Sequence, residues 1–96
     1  MSNVMDKIKR LCDELGEEYF VSFIDGVDVI CRDFGNGYDV EITGFYAKAK
    51  HEALTICLWK DKTRLLKTIE DVPYRNVGDR VEELYHLTLF QDEWEE

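Results

Sequence analysis

Runs rich in β-branched and aromatic residues fill the stretch from Tyr19 to Phe45, alternating strictly with polar ones only from Tyr38 to Thr43, and two glycine-bearing turns divide it into three segments. That pattern predicts three antiparallel strands. The first turn is Asp25-Gly26, set between Phe20-Val21-Ser22-Phe23-Ile24 and Val27-Asp28-Val29-Ile30-Cys31. A two-residue loop of type I′ needs positive φ at both central residues, and Asp-Gly meets that need. It pairs Ile24 with Val27, Ser22 with Val29 and Phe20 with Cys31.

The second turn contains Gly35-Asn36-Gly37. With Asn36-Gly37 as a two-residue loop, Asp33 faces Val40, Arg32 faces Glu41 and Cys31 faces Ile42. This register gathers Phe20, Ile24, Val27, Val29, Cys31, Val40 and Ile42 on one buried face, and a slip by one residue would scatter them. It also makes Arg32 and Glu41 a cross-strand ion pair. The opposite face then carries Tyr19, Val21, Phe23, Asp28, Ile30, Arg32, Phe34, Asp39, Glu41 and Thr43, part aromatic and part acidic.

Outside this stretch the period changes. Val4 or Met5, Ile8, Leu11, Cys12 and Leu15 recur at three- and four-residue spacing. They predict a helix from Ser2 to Leu15, with Ser2 or Asn3 at its start and Gly16 at its end. Tyr46 to Glu52 is polar and basic and reads as a connection. Ala53 to Trp59 alternates as a fourth strand, and Arg64 to Glu70 reads as a fifth, although Leu65-Leu66 breaks its alternation. Pro73 punctuates the chain. Asn76 stands as an N-cap before Val77, Val81, Leu84, Tyr85 and Thr88, which predict a second helix from Val77 to Gln91. The expected fold class is α+β: helix, antiparallel meander of four to five strands, helix, in a single domain covering residues 1–96.

Ninety-six residues bury roughly 60 to 65% of their unfolded surface, enough for one core without staples. No apolar run approaches the roughly 20 residues of a membrane span. Met1 to Asp6 lacks the basic start and apolar centre of a signal peptide. The three cysteines, Cys12, Cys31 and Cys57, are odd in number and far apart. They point to buried thiols in a reduced, cytoplasmic protein.

Charge changes the picture most. The net charge is −9, from 12 basic and 21 acidic residues. Residues 19–46 hold one basic and five acidic side chains, and residues 71–96 hold two and eight, whereas residues 47–70 hold six basic and three acidic. Such a surface repels nucleic acid and anionic lipid. It favours fast, salt-sensitive association with a cationic partner.

Catalytic motifs are not found. Asp33-Phe34-Gly35 spells part of a protein-kinase signature, but the chain is too short for a kinase and lacks its other motifs. Gly35-Asn36-Gly37 is a turn, since no helix start follows it to receive a phosphate. No cysteine pair has metal-ligand spacing, and Asp25 with Asp28 does not match a calcium loop. His51 or His86 would have to be brought to a metal, or to Cys31 or Cys57 as nucleophile, by the fold. No enzyme activity, metal or cofactor is expected.

The leading expectation is therefore an acidic binding protein or inhibitor that occupies a basic, nucleic-acid-binding protein surface such as that of a nuclease. This is the logic by which phage-encoded anti-CRISPR and anti-restriction proteins and toxin immunity proteins act, and the analogy rests on charge and size. The expected contacts are Asp28, Asp39 and Glu41 on the sheet, Glu82 and Glu83 on the second helix, and Asp92, Glu93 and Trp94 near the C-terminus. One alternative is an acidic housekeeping or regulatory domain, homodimeric or not. Another is a small enzyme or ligand sensor with a pocket between sheet and helix.

Overall fold

A computed structural model of the chain describes residues 4–45 and 53–90. The N-terminal apolar stripe forms helix α1 (Val4–Leu15), whose Ile8 and Leu11 are buried. Gly16 ends it as expected: its φ is +120° and its N–H donates to the Cys12 carbonyl at 3.2 Å. The cap candidates Ser2 and Asn3 lie outside the described residues.

Strands β1 (Tyr19–Ile24), β2 (Val27–Asp33), β3 (Tyr38–Thr43), β4 (Ala53–Lys60) and β5 (Arg64–Pro73) form one antiparallel sheet in chain order. With α2 (Val77–Thr88) after them, this is the α+β arrangement that the sequence implies. The β1–β2 hairpin has the expected register, with Ile24 opposite Val27 and Phe20 opposite Cys31. Asp25 and Gly26 have φ of 53° and 85°, as a type I′ loop requires.

The second hairpin corrects the expected register by one residue. Ile30 faces Ile42, Cys31 faces Glu41, Arg32 faces Val40 and Asp33 faces Asp39. The loop has three residues, not two: the Phe34 N–H donates to the Tyr38 carbonyl at 3.0 Å across Gly35-Asn36-Gly37. Two side chains hold this geometry. Asp33 Oδ1 accepts from the Gly35 N–H at 2.8 Å, and Asn36 Oδ1 accepts from the Tyr38 N–H at 3.2 Å. Because side chains alternate, the shift moves Val40 and Ile42 to the face opposite Val29 and Cys31. All four are buried as expected, but on two faces rather than one. The Arg32–Glu41 pair is not formed, since these side chains point to opposite sides of the sheet.

Both helices lie on the face that carries Ile30, Val40, Ile42, Leu54, Ile56 and Leu58. Ile8 and Leu11 from α1, with Val77, Val81 and Leu84 from α2, close this core. Arg32 is on the same face. Its guanidinium lies 5.4 Å from the Tyr19 ring centre, 5.2 Å from Phe34 and 5.4 Å from Tyr85. It also donates to Glu82 Oε2 at 2.7 Å. A cation enclosed by three rings and one carboxylate pins α2 to the first two strands.

β5 runs on to Pro73, beyond the expected Glu70, and its pairing with β4 shifts twice, between Leu54 and Ile56 and between Leu58 and Trp59. The shift between Leu58 and Trp59 accounts for the broken alternation at Leu65-Leu66, and Asp71 takes a positive φ of 61° at the shift between Leu54 and Ile56. Tyr74–Asn76 then forms a short 3-10 turn leading into α2. Asn76 occupies the expected N-cap position, but its side chain makes no capping hydrogen bond. The helix stops at Thr88, short of Gln91. There the Thr88 hydroxyl donates to the Tyr85 carbonyl at 2.6 Å and accepts from Asn36 Nδ2 at 3.0 Å, which ties the helix end to the β2–β3 loop.

Candidate functional site

Among the described residues no helix lies on the other face of the sheet. Its side chains follow from the register: Phe20, Ser22 and Ile24 on β1, Val29, Cys31 and Asp33 on β2, Asp39 and Glu41 on β3, Cys57 and Trp59 on β4. They form a groove of about 330 Å³ with Phe20, Ile24 and Trp59 as apolar walls, Cys31 in its floor, and Asp33, Asp39 and Glu41 along one side.

The acids are held, not loose. Glu41 Oε1 accepts from Trp59 Nε1 at 3.1 Å, which fixes the indole beside the groove. Asp33 and Asp39 face each other directly across β2 and β3. Lys62, from the β4–β5 turn, approaches Asp33 at 3.8 Å. Burial raises the Asp39 carboxyl above its ordinary range; Lys62 opposes that rise and Asp33 adds to it. The arrangement presents negative charge beside aromatic surface, which suits a lysine or arginine side chain.

Of the expected contact residues, the fold brings Asp39 and Glu41 together here. It places Asp28 on the helix side of the sheet, two positions before Ile30. Glu82 is committed to Arg32, and Glu83 pairs with Arg80 at 2.8 Å. Asp92, Glu93 and Trp94 lie outside the described residues, as does His51. Phe20, Asp33 and Trp59 were not expected in the site. The slipped register hid them, although the Asn36 and Asp33 side chains that select the longer loop were visible signals.

Cys31 and Cys57 do not meet His86, which stands on α2 across the sheet. All three cysteines are free. Among the described residues no group of three or more His, Cys, Asp or Glu side chains could hold a metal ion, and no helix is long and apolar enough to cross a membrane. Compared with protein-family models, curated proteins and solved structures, the chain matches none.

Burial, with smaller contributions from Glu41 and Asp39, pushes the Cys31 thiol up from 9.0 to about 11. At pH 7 its thiolate fraction should be lower in the folded than in the unfolded chain by on the order of 100-fold. Native-state labelling with a disulfide reagent, read residue by residue by mass spectrometry, should therefore leave Cys31 unmodified after Cys12 and Cys57 have reacted. Rapid labelling of Cys31 would contradict its placement. The same shift makes the folded state the stronger proton binder. Its contribution to stability is complete below pH 9 and is lost as the pH rises through about 11.

Proposed function

We propose that this chain is a small acidic binding protein that docks by the open face of its sheet on a basic protein surface, of the kind that nucleases and other nucleic-acid-binding proteins present. The observation that supports the reading most is the facing of Asp33 and Asp39 beside Phe20 and Trp59. Like charges directly opposite each other disfavour a sheet, and the exposed Lys62 is a weak counterion for them. A lysine or arginine of a partner would neutralise the pair and lay its stem on the rings. The net charge of −9 would steer such a partner inward and repel DNA and RNA.

The test is kinetic. A basic protein captured on the immobilised chain is purified, and its association rate is measured against the parent and the Asp33→Lys/Asp39→Lys variant. Charge reversal should slow association by roughly 10-fold or more. Because Asp33→Lys also removes the acceptor of the Gly35 N–H, the Asp39→Lys single variant, which keeps that acceptor, should slow it in the same direction with little change in the melting temperature. Salt should act in the same direction, since the screening length falls from about 10 Å at 0.1 M to about 3 Å at 1 M. Undiminished binding by the variant, or binding indifferent to salt, would refute the proposal.

A further inference from the structure

The two edges of the sheet are built differently. β5 carries two bulges, the charges of Arg64, Lys67, Glu70 and Asp71, and a terminal proline. These are the features by which edge strands avoid pairing with other chains. β1 has none of them. Tyr19-Phe20-Val21-Ser22-Phe23-Ile24 contains no charge, proline or bulge, and pairs with β2 without interruption. Among the described residues no strand pairs with its outer edge. Phe23 is 70% exposed and Phe20 48%, and Val21 is also exposed.

The hairpin defines which backbone groups that edge offers. A two-residue loop makes Ile24 and Val27 a hydrogen-bonded pair, so Ile24, Ser22 and Phe20 turn their N–H and C=O groups toward β2. Tyr19, Val21 and Phe23 turn theirs outward. The Tyr19 N–H is already used, donating to the Gly16 carbonyl at 3.2 Å. The outward set is thus centred on Val21, and among the described residues nothing bonds to the Tyr19 carbonyl or to the N–H and C=O groups of Val21 and Phe23.

We propose that β1 pairs with β1 of a second copy of this chain, antiparallel and with the two-fold axis at Val21. An isologous interface requires a self-complementary edge, and this register supplies one. Each Val21 N–H donates to the Val21 carbonyl of the second copy, and each Phe23 N–H donates to the Tyr19 carbonyl of the second copy. Phe23, exposed in one copy, then lies beside Tyr19 of the other, and Val21 lies beside Val21. The axis is perpendicular to the sheet, so both copies keep their helices on the same side and the two sheets become one. The neutrality of β1 selects this occupant: a strand that met a basic partner would be expected to carry acids, and β1 carries none. The pairing brings Glu17 toward Asp25 of the second copy, so salt should strengthen it, the reverse of its effect on the groove.

The experiment is sedimentation equilibrium of the full chain over a concentration series at low and high salt. The parent should approach twice 11.3 kDa and do so at lower concentration in high salt. Val21→Pro removes only an outward donor, because the Val21 N–H does not bond to β2. It should weaken association on the order of 100-fold while leaving the circular dichroism spectrum and basic-partner binding unchanged. Phe23→Lys, which places a charge at the edge by another route, should do the same. A parent that stays monomeric up to about 1 mM, or a dimer that survives both substitutions, would overturn the proposal. Neither outcome bears on the groove, whose test uses charge reversal at Asp33 and Asp39.

Discussion

The Arg32→Ala variant should be less stable than the parent by about 3 kcal/mol, with a melting temperature lower by about 15 °C. Arg32 joins the first strand, the β2–β3 loop and α2. Tyr19 and Phe34 come from the first hairpins, and Tyr85 and Glu82 from α2. Its side chain is 12% exposed, whereas Glu82 is 54% exposed. The ion pair alone is therefore partly screened and contributes modestly. The larger loss comes from emptying the space among three rings, each of which contributes about 0.5 to 1 kcal/mol to a stacked cation. Two further variants separate these contributions. Glu82→Gln should cost no more than about 1 kcal/mol. Arg32→Lys should lose more than that, because an ammonium keeps the charge but not the flat surface that fills the enclosure. Urea unfolding of the three variants checks the order. A cost for Arg32→Ala within about 0.5 kcal/mol of zero would show that the enclosure does not anchor α2.

That anchor was beyond the reach of the sequence, and the reason is physical. Local patterns report which side of an element faces inward, and here they did so for α1 and for β4. For the β1–β2 hairpin, whose Asp25-Gly26 loop admits one length, they gave the register but not the side, since the helices cover Ile30 rather than Phe20 and Cys31. They do not report which distant carboxylate meets a given arginine, and Arg32 and Glu82 are 50 positions apart. Gly35-Asn36-Gly37 is a different case. It permits a loop of two residues or three, and the choice rests on hydrogen bonds that the Asp33 and Asn36 side-chain oxygens accept from the Gly35 and Tyr38 N–H groups. One residue of difference exchanged the faces of β3, so Asp39 and Glu41 were assigned correctly to an acidic face but with the wrong neighbours. Phe20 was missed for that reason, and Trp59 because its place opposite Asp39 depends on the pairing of β4 with β3. The bulges of β5 left one trace, the adjacent Leu65 and Leu66, and an adjacent pair of leucines is equally consistent with a helix.

The corrected register makes its own prediction at the centre of the core. Ile30 faces Ile42, Ile42 faces Ile56, and Ile56 faces Ile69, so one isoleucine from each of four consecutive strands lies in a single row beneath the helices. Ile42 is fully buried in that row. Ile42→Ala should cost about 4 kcal/mol, since a rigid sheet closes poorly around the missing atoms. That is a large share of the roughly 5 to 15 kcal/mol available to a domain, and the variant should sit near the edge of folding at 37 °C. The cost by itself would not distinguish registers, because Ile42 would be buried in either. Coupling does. With Ile30 beside it, the Ile30→Val/Ile42→Val double variant should depart from additivity by roughly 0.5 to 1 kcal/mol. The Cys31→Ala/Ile42→Val double variant should be additive, because Cys31 lies on the other side of the sheet, in the floor of the acidic groove. If Cys31 and Ile42 are coupled and Ile30 and Ile42 are not, the hairpin has the shorter loop, and Asp39 and Glu41 share their face with Ile30 and Arg32 instead of with Phe20 and Cys31, where a cationic partner would meet them beside aromatic surface.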